Sequence, residues 1–321
     1  MYKLRDWISL DKLNMENLCL NPHPEAVHLI QLHLDKMTKT SWKFLSYNPN
    51  AIELLEKNPS RIHWRCLSEN PNAVHILEKN PDKIYWSLLS LNQSAIHLLK
   101  QNEDKIDWDY LSKNPGAIQL LENNLDKVDW IEINQNPGAI GLLKKNPENI
   151  EWDYLSKNPG TIRLLEKNLD KVNWNLLCKN PNAVHLIKKH LDKIDPVWLS
   201  DNPDPDAFQI FKDYFDTEVK TKYQISRENL ELMEIIDWGS VNENPYSMEL
   251  LKENQNMVYW RFIWSNPGIF EYDYPRMKET NSNLLEELVS VVFHPRNMPC
   301  FNSLGLEEFD YDPNGRLKLK D

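Results

Sequence analysis

The stretch DWDYLSKNPGAIQLLENNLDKVDW, residues 107–130, starts again at its own end, because its two indoles, Trp108 and Trp130, stand 22 residues apart. The same interval recurs on both sides, at Trp42, Trp64, Trp86, Trp152 and Trp174. Six identical intervals make internal repetition the main fact about this chain. With the Trp position as zero, Leu45, Leu67, Leu89, Leu111, Ile133, Leu155 and Leu177 stand at +3. Asn48, Asn70, Asn92, Asn114, Asn136, Asn158 and Asn180 stand at +6, and Pro follows each of them except Asn92, which Gln93 follows. Apolar residues recur at +10, +12 and +13, as in Ile52, Leu54 and Leu55; Asn or His stands at +16 and Ile or Val at +20.

The phase continues outward. Pro196 and Met15 fill the Trp position of two further units, whose Asn202 and Asn21 remain in register. Both of these units carry two extra residues, in NPHPEA (21–26) and NPDPDA (202–207). The pattern lapses over 208–237 and resumes at Trp238 and Trp260. The expected organisation is a cap and degenerate first repeat over 1–41 and regular repeats over 42–207. A degenerate segment (208–237), resumed repeats (238–268) and an acidic C-terminal cap and tail (269–321) follow.

Each unit reads as two short helices. Asn before Pro is an N-cap, since its side chain accepts from a free amide and Pro at the first helical position has no amide to leave unpaired. The second helix is expected from +7 to about +15, closed by Asn at +16 in the left-handed conformation. The first helix, from Trp to +5, is short enough to be 3₁₀ in part. Such pieces are too short to stand alone and must stack. The fold class is therefore all-α, a solenoid of α and 3₁₀ helices in 22-residue units with a helical C-terminal cap. The Trp, Leu and Ile ladders are expected to form its core, in which Trp truncation costs about 3–5 kcal/mol.

Composition agrees with a folded protein: 41% hydrophobic and 26% charged residues, with only 8 Gly against 20 Pro. Few Gly argues against phosphate loops, and no P-loop, GxGxxG, GxSxG or HExxH occurs. The N-terminal MYKLRDWISLDKLN lacks the apolar run of a secretory signal, and no stretch is apolar enough to span a membrane. Cys19, Cys66, Cys178 and Cys300 show no metal or disulfide spacing, which suits a reducing compartment. The net charge of −11 falls entirely within residues 198–321; residues 42–197 carry twenty acids and twenty bases. A neutral array is not the footprint of a nucleic-acid binder.

The unit 107–130 resembles the short Trp/Asn-Pro repeats found in proteins of the nucleocytoplasmic large DNA viruses. NPGIFEYDYPRMKE (266–279) is similar to the ending of those proteins, and HPRNMPCFNSLG (294–305) to their capping segment. The resemblance covers roughly 10–305. It implies a viral origin and a place in the cytoplasm of an infected cell or in the virion, with no activity attached. A weaker similarity, to the leucine-rich repeat variant, implies an α/3₁₀ solenoid and nothing about function.

The candidate chemistry weighs against catalysis. His28, His75, His97 and His185 recur at +11 or its equivalent, but too few ligands converge for a metal. Small residues at +4 (Ser46, Ser68, Ser90, Ser112, Ser156 and Ser200, with Cys19 and Cys178) recur too regularly for a nucleophile and suit packing or local hydrogen bonding. DNPDPD lacks the Gly and the distal Glu of a Ca²⁺ loop. No cofactor is expected, and neither nucleic acid nor membrane is expected as a partner.

The expected function is a non-enzymatic scaffold that binds a host or viral protein along its variable positions. The candidate face combines a +5 row (Tyr47, Glu69, Leu91, Lys113, Gln135, Lys157, Lys179) with a +11 row (Glu53, His75, His97, Gln119, Arg163, His185). The later +5 residues are more basic and suit an acidic or mixed partner. The alternatives are a structural virion component and a hydrolase-like activity in 208–321, where Asp273, Tyr274, His294 and Arg296 stand.

Overall fold

An Asn-Pro pair every unit fixes where each helix must stop and the next begin. In the unit of Trp108, Asp107 caps the first helix, Trp108–Lys113, by accepting from the amide of Tyr110 at 3.2 Å. Asn114 leaves the helix in an extended conformation (φ −81°, ψ 113°), as a residue before Pro must. Its Oδ1 accepts from the Gly116 amide at 2.9 Å, starting the 3₁₀ turn Pro115–Ala117 and then the α-helix Ile118–Glu122. A second 3₁₀ turn, Leu125–Lys127, leads to Asp129, the next cap. The computed structural model describes residues 1–219 and 236–292, with side chains to residue 283.

Two local expectations are corrected. The 3₁₀ segments follow Asn-Pro and precede the next cap, whereas the first helix is α in the regular units, for example Trp64–Glu69 and Trp86–Leu91. The Asn at +16 is not left-handed: Asn80, Asn102 and Asn124 have φ of −136°, −138° and −138°. The side-chain amide explains this, because Nδ2 of Asn124 donates back to the Leu120 carbonyl at 2.9 Å. That bond satisfies a last-turn carbonyl without a positive φ.

The interior is made of aliphatic side chains. Leu45, Leu67, Leu89, Leu111, Ile133, Leu155 and Leu177 are all 0% exposed, as are Ala73, Ala95, Leu77, Leu99 and Leu121. The indoles differ from expectation: Trp42 and Trp238 are buried, but Trp64, Trp86, Trp108, Trp130, Trp152 and Trp174 are half-buried. Four of the half-buried rings lie under lysines of the following 3₁₀ turn. Lys105, Lys127, Lys171 and Lys193 sit 4.5, 4.5, 4.8 and 5.0 Å above the rings of Trp86, Trp108, Trp152 and Trp174. The Trp ladder is thus the wall of the core and not its centre, covered by cation–π contacts.

Two polar relays join each unit to the next. Ser112 Oγ donates to the Trp108 carbonyl at 2.8 Å and accepts from the Asp129 amide at 3.0 Å, tying one helix to the next cap. Ser46, Ser68, Ser90 and Ser156 repeat this pattern. Asn134 and Asn242 do the same with an amide. The +6 asparagines reach in the other direction. Asn136 Nδ2 donates to the carbonyls of Ser112 and Asn114 in the preceding unit, at 2.9 and 3.0 Å. The same step runs from Asn48 through Asn70, Asn92, Asn114, Asn158 and Asn180 to Asn202. It passes over the irregular segment, since Asn244 donates to Ser200 and Asn202, and then reaches Asn266.

The circuit closes. Asn21, in the first unit, donates to the carbonyls of Trp264 and Asn266 in the last, at 2.9 and 2.8 Å. The described residues of 4–270 therefore form a closed ring of repeats, in which the first unit follows the last as any unit follows its predecessor. Further contacts fasten the junction. Trp264 Nε1 donates to the Lys12 carbonyl at 2.7 Å, Lys12 Nζ sits 3.8 Å over Trp260, and Arg5 donates to Gly268 and pairs with Glu249. Around the ring, successive first helices pack side by side, as Trp64–Glu69 does against Trp86–Leu91 and that helix against Trp108–Lys113, whereas among the described residues the second helices make no comparable contact with each other. Spacing grows with radius in a ring, so the first helices lie toward its inside and the second helices fan outward.

A separate compact body combines Met1–Lys3 with the described residues from Glu271 to 292. Strand β1 (Tyr2–Leu4) pairs with β2 (Phe270–Tyr272), Tyr2 stacks on Tyr272 at 4.6 Å, and the helix Tyr274–Val292 follows. Most of the degenerate stretch 208–237, and His294, Arg296, Cys300 and the segment 294–305, lie outside the described residues.

Candidate binding surface

The positions that vary between units come to the surface in two separate rows. The +5 residues end the first helices, and Tyr47, Glu69, Leu91, Lys113, Gln135, Lys157 and Lys179 are all half-buried. Lys113 pairs with Glu132 of the next unit at 3.1 Å and Lys179 with Asp201 at 2.8 Å. Lys157 lies 5.3 Å over the Tyr154 ring, and Lys179 5.4 Å over Trp198. Gln135 donates to Glu132 at 2.8 Å. A hydrogen bond to the Cys66 thiol, with burial, pushes the Tyr47 phenol up to about 12. Burial also raises the Glu69 carboxyl above its ordinary range.

The +11 residues sit on the second helices, and Glu53, His75, His97, Gln119, Arg163 and His185 are all exposed. Three of them reach the preceding unit: His75 meets Glu56 at 2.9 Å, His97 meets Glu78 at 2.7 Å and His185 meets Glu166 at 2.9 Å. Glu53 pairs within its own helix with Lys57, which lowers its carboxyl. Among the described residues no hydrogen bond or ion pair joins the +5 row to the +11 row. The +11 histidines are spent singly on glutamates, and among the described residues no group of three or more His, Cys, Asp or Glu is placed to hold a metal.

Sequence reasoning passed over the clefts between second helices. One is lined by Pro159, Gly160, Arg163, Glu166, Asn182 and His185, with a volume of about 580 Å³. A neighbour of about 380 Å³ shares Asn182 and His185 and runs to Lys188, Asp204 and Asp206. Another, of about 600 Å³, shares Arg163 and Glu166 and adds Lys144, Leu164 and Lys167. The signal was present at +14, where Glu56, Glu78, Glu122 and Glu166 are interspersed with Lys100, Lys144 and Lys188.

Burial pushes the thiols of Cys19 and Cys178 up to about 12, which leaves them in the un-ionised, unreactive form at neutral pH. Asp273 and Tyr274 begin the helix after β2, where Asp273 accepts from the Arg276 amide at 3.2 Å. No helix among the described residues is long and apolar enough to cross a membrane. No family model matches the chain, and no curated protein or solved structure matches it significantly.

Proposed function

We propose that the chain is a non-enzymatic protein-binding scaffold of a nucleocytoplasmic large DNA virus, acting on a host or viral protein in the cytoplasm of the infected cell. One observation carries the proposal. The recurring residues, Asn at +6, Leu at +3 and small residues at +4, are consumed in the core, while the varying residues reach the surface in register. An array that fixes its frame and varies its surface suits recognition of an extended macromolecular face. The +5 row, with Lys113, Lys157 and Lys179 in its later half, is the first candidate contact. Affinity purification from infected cells tests this with the wild type and a Lys113→Glu, Lys157→Glu, Lys179→Glu variant. Loss of specific partners from the variant supports the +5 face. An identical set of partners removes that face from the proposal, and no specific partner for either protein overturns the scaffold.

A further inference from the structure

The ring's register brings +11 of one unit against +14 of the unit before, and one junction sets two cations there. A residue at +11 stands against +14 of the preceding unit, giving His75 with Glu56, His97 with Glu78 and His185 with Glu166. Where +11 is Gly141, Lys145 takes its place and reaches Glu122 at 2.8 Å. Lys188, at +14, is met by Asp206 of the next unit at 2.7 Å. Between the units of Trp130 and Trp152 the same register sets Arg163 beside Lys144, two cations lining one cleft. Lys167 joins them, and among the described residues none of the three has a carboxylate within ion-pair distance. Like charges so placed repel and favour an anion between them.

The cleft does not stop there. It shares Arg163 and Glu166 with the next cleft, and that one shares Asn182 and His185 with the third, which ends at Asp204 and Asp206. Three junctions between helices that fan outward, each spaced at or above the roughly 8–10 Å of packed helices, give a groove of about 30 Å or more, enough for about nine extended residues. Ile162, Leu164, Val184 and two prolines contribute apolar surface, and Gly160 supplies no side chain to obstruct it. The charge is polarised: Lys144, Arg163 and Lys167 outnumber Glu166 at one end, and Asp204 and Asp206 outnumber Lys188 at the other. We infer that this groove binds an extended acidic peptide segment of a partner protein, with its carboxylates over Lys144, Arg163 and Lys167. The inference rests on the scaffold proposal but places its anchor on the outer second helices, away from the +5 row.

Fluorescence anisotropy of the full chain at low ionic strength tests it. The probe is a labelled nonapeptide, Glu-Val-Glu-Glu-Val-Gly-Ser-Gly-Lys, with a second peptide in which Gln replaces each Glu. The wild type is expected to prefer the Glu peptide by about tenfold, the effect of roughly 1.4 kcal/mol. The Lys144→Glu, Arg163→Glu, Lys167→Glu variant is expected to lose that preference, with its circular dichroism unchanged. The Lys113→Glu, Lys157→Glu, Lys179→Glu variant is expected to keep it. Equal binding of the two peptides, or equal loss in both variants, overturns the inference. So does tighter binding of a single-stranded oligonucleotide through the same three residues. None of these outcomes bears on whether infected cells yield a specific partner, so the scaffold proposal stands or falls separately.

Discussion

Asn136 uses its whole side-chain amide: Oδ1 accepts from Gly138 in its own unit, and Nδ2 donates to two carbonyls of the unit before, all inside a residue that is 0% exposed. Each buried polar group left unpaired costs about 1–3 kcal/mol. Asn136→Ala is therefore expected to lower stability by at least about 2 kcal/mol, read from the urea midpoint of Trp fluorescence. A shift inside the range of ordinary surface substitutions would mean that the relay is decorative. Half of this residue's role was legible in the sequence. Asn before Pro announces an N-cap, but a spacing cannot reveal that the same amide spans to another unit. The Trp positions show the converse. Their periodicity is that of a core residue, yet Lys171 at the next turn lets Trp152 remain half-exposed, which a ladder of identical letters does not reveal. The thiols give a second test at this scale. Burial lifts Cys19 and Cys178 from an ordinary value near 9 to about 12, so the folded chain keeps these protons where the unfolded chain loses them. Their contribution to stability is complete below about pH 9 and is lost as pH rises toward 12. In a Cys66→Ser, Cys300→Ser background, a disulfide-exchange reagent at pH 8 should label Cys19 and Cys178 only after denaturant is added. Prompt labelling of the native chain would contradict their burial.

At the scale of the element, units differ in how closely they approach. Gly160 follows Asn-Pro, and a Cβ there would stand 2.3 Å from the Pro137 carbonyl oxygen of the preceding unit, so something must shift. Gly141 lies in the helix Ile140–Lys145, and a Cβ there would meet nothing within 4 Å. The two Gly→Ala changes are therefore expected to have opposite signs. Gly141→Ala should stabilise by about 0.5–1 kcal/mol, because Ala loses less backbone freedom than Gly on entering a helix. Gly160→Ala should destabilise, since the obstacle is backbone and cannot turn aside. Thermal melts of the two variants settle the ordering, and equal shifts would refute it. The existence of two helices per unit followed from the sequence, because caps and stops are written in single residues. Which pieces wind as 3₁₀ did not follow, because three residues carry too little periodicity to separate i→i+3 from i→i+4. The 3₁₀ turns fall where the chain must change direction in three residues, after Asn114 and before Asp129.

At the scale of the whole array, the sequence specifies the step between units but not the sum of the steps. Curvature is the accumulation of small rotations, and a 22-residue period is compatible with an open superhelix or a ring. Closure becomes visible only when Asn21 is found donating to Asn266 as Asn48 donates to Asn21. The irregular insertions are compatible with it because they leave the inner circuit alone: Asn202 and Asn244 are 42 residues apart in sequence yet adjacent in the relay. The consequence for dynamics is direct. In an open solenoid the end units have one neighbour each and fray, so amide protection falls from the middle outward. In a ring every unit has two neighbours. Native-state hydrogen exchange should therefore find the core amides of Leu18 and Asn21, and of Asn266, as slow as those of Ile133 and Asn136. Asn21→Ala, which removes the closing bonds, should speed exchange at both Leu18 and Asn266 more than at Ile133. A steady gradient of protection toward both ends in the unmodified chain would show that the array is open in solution.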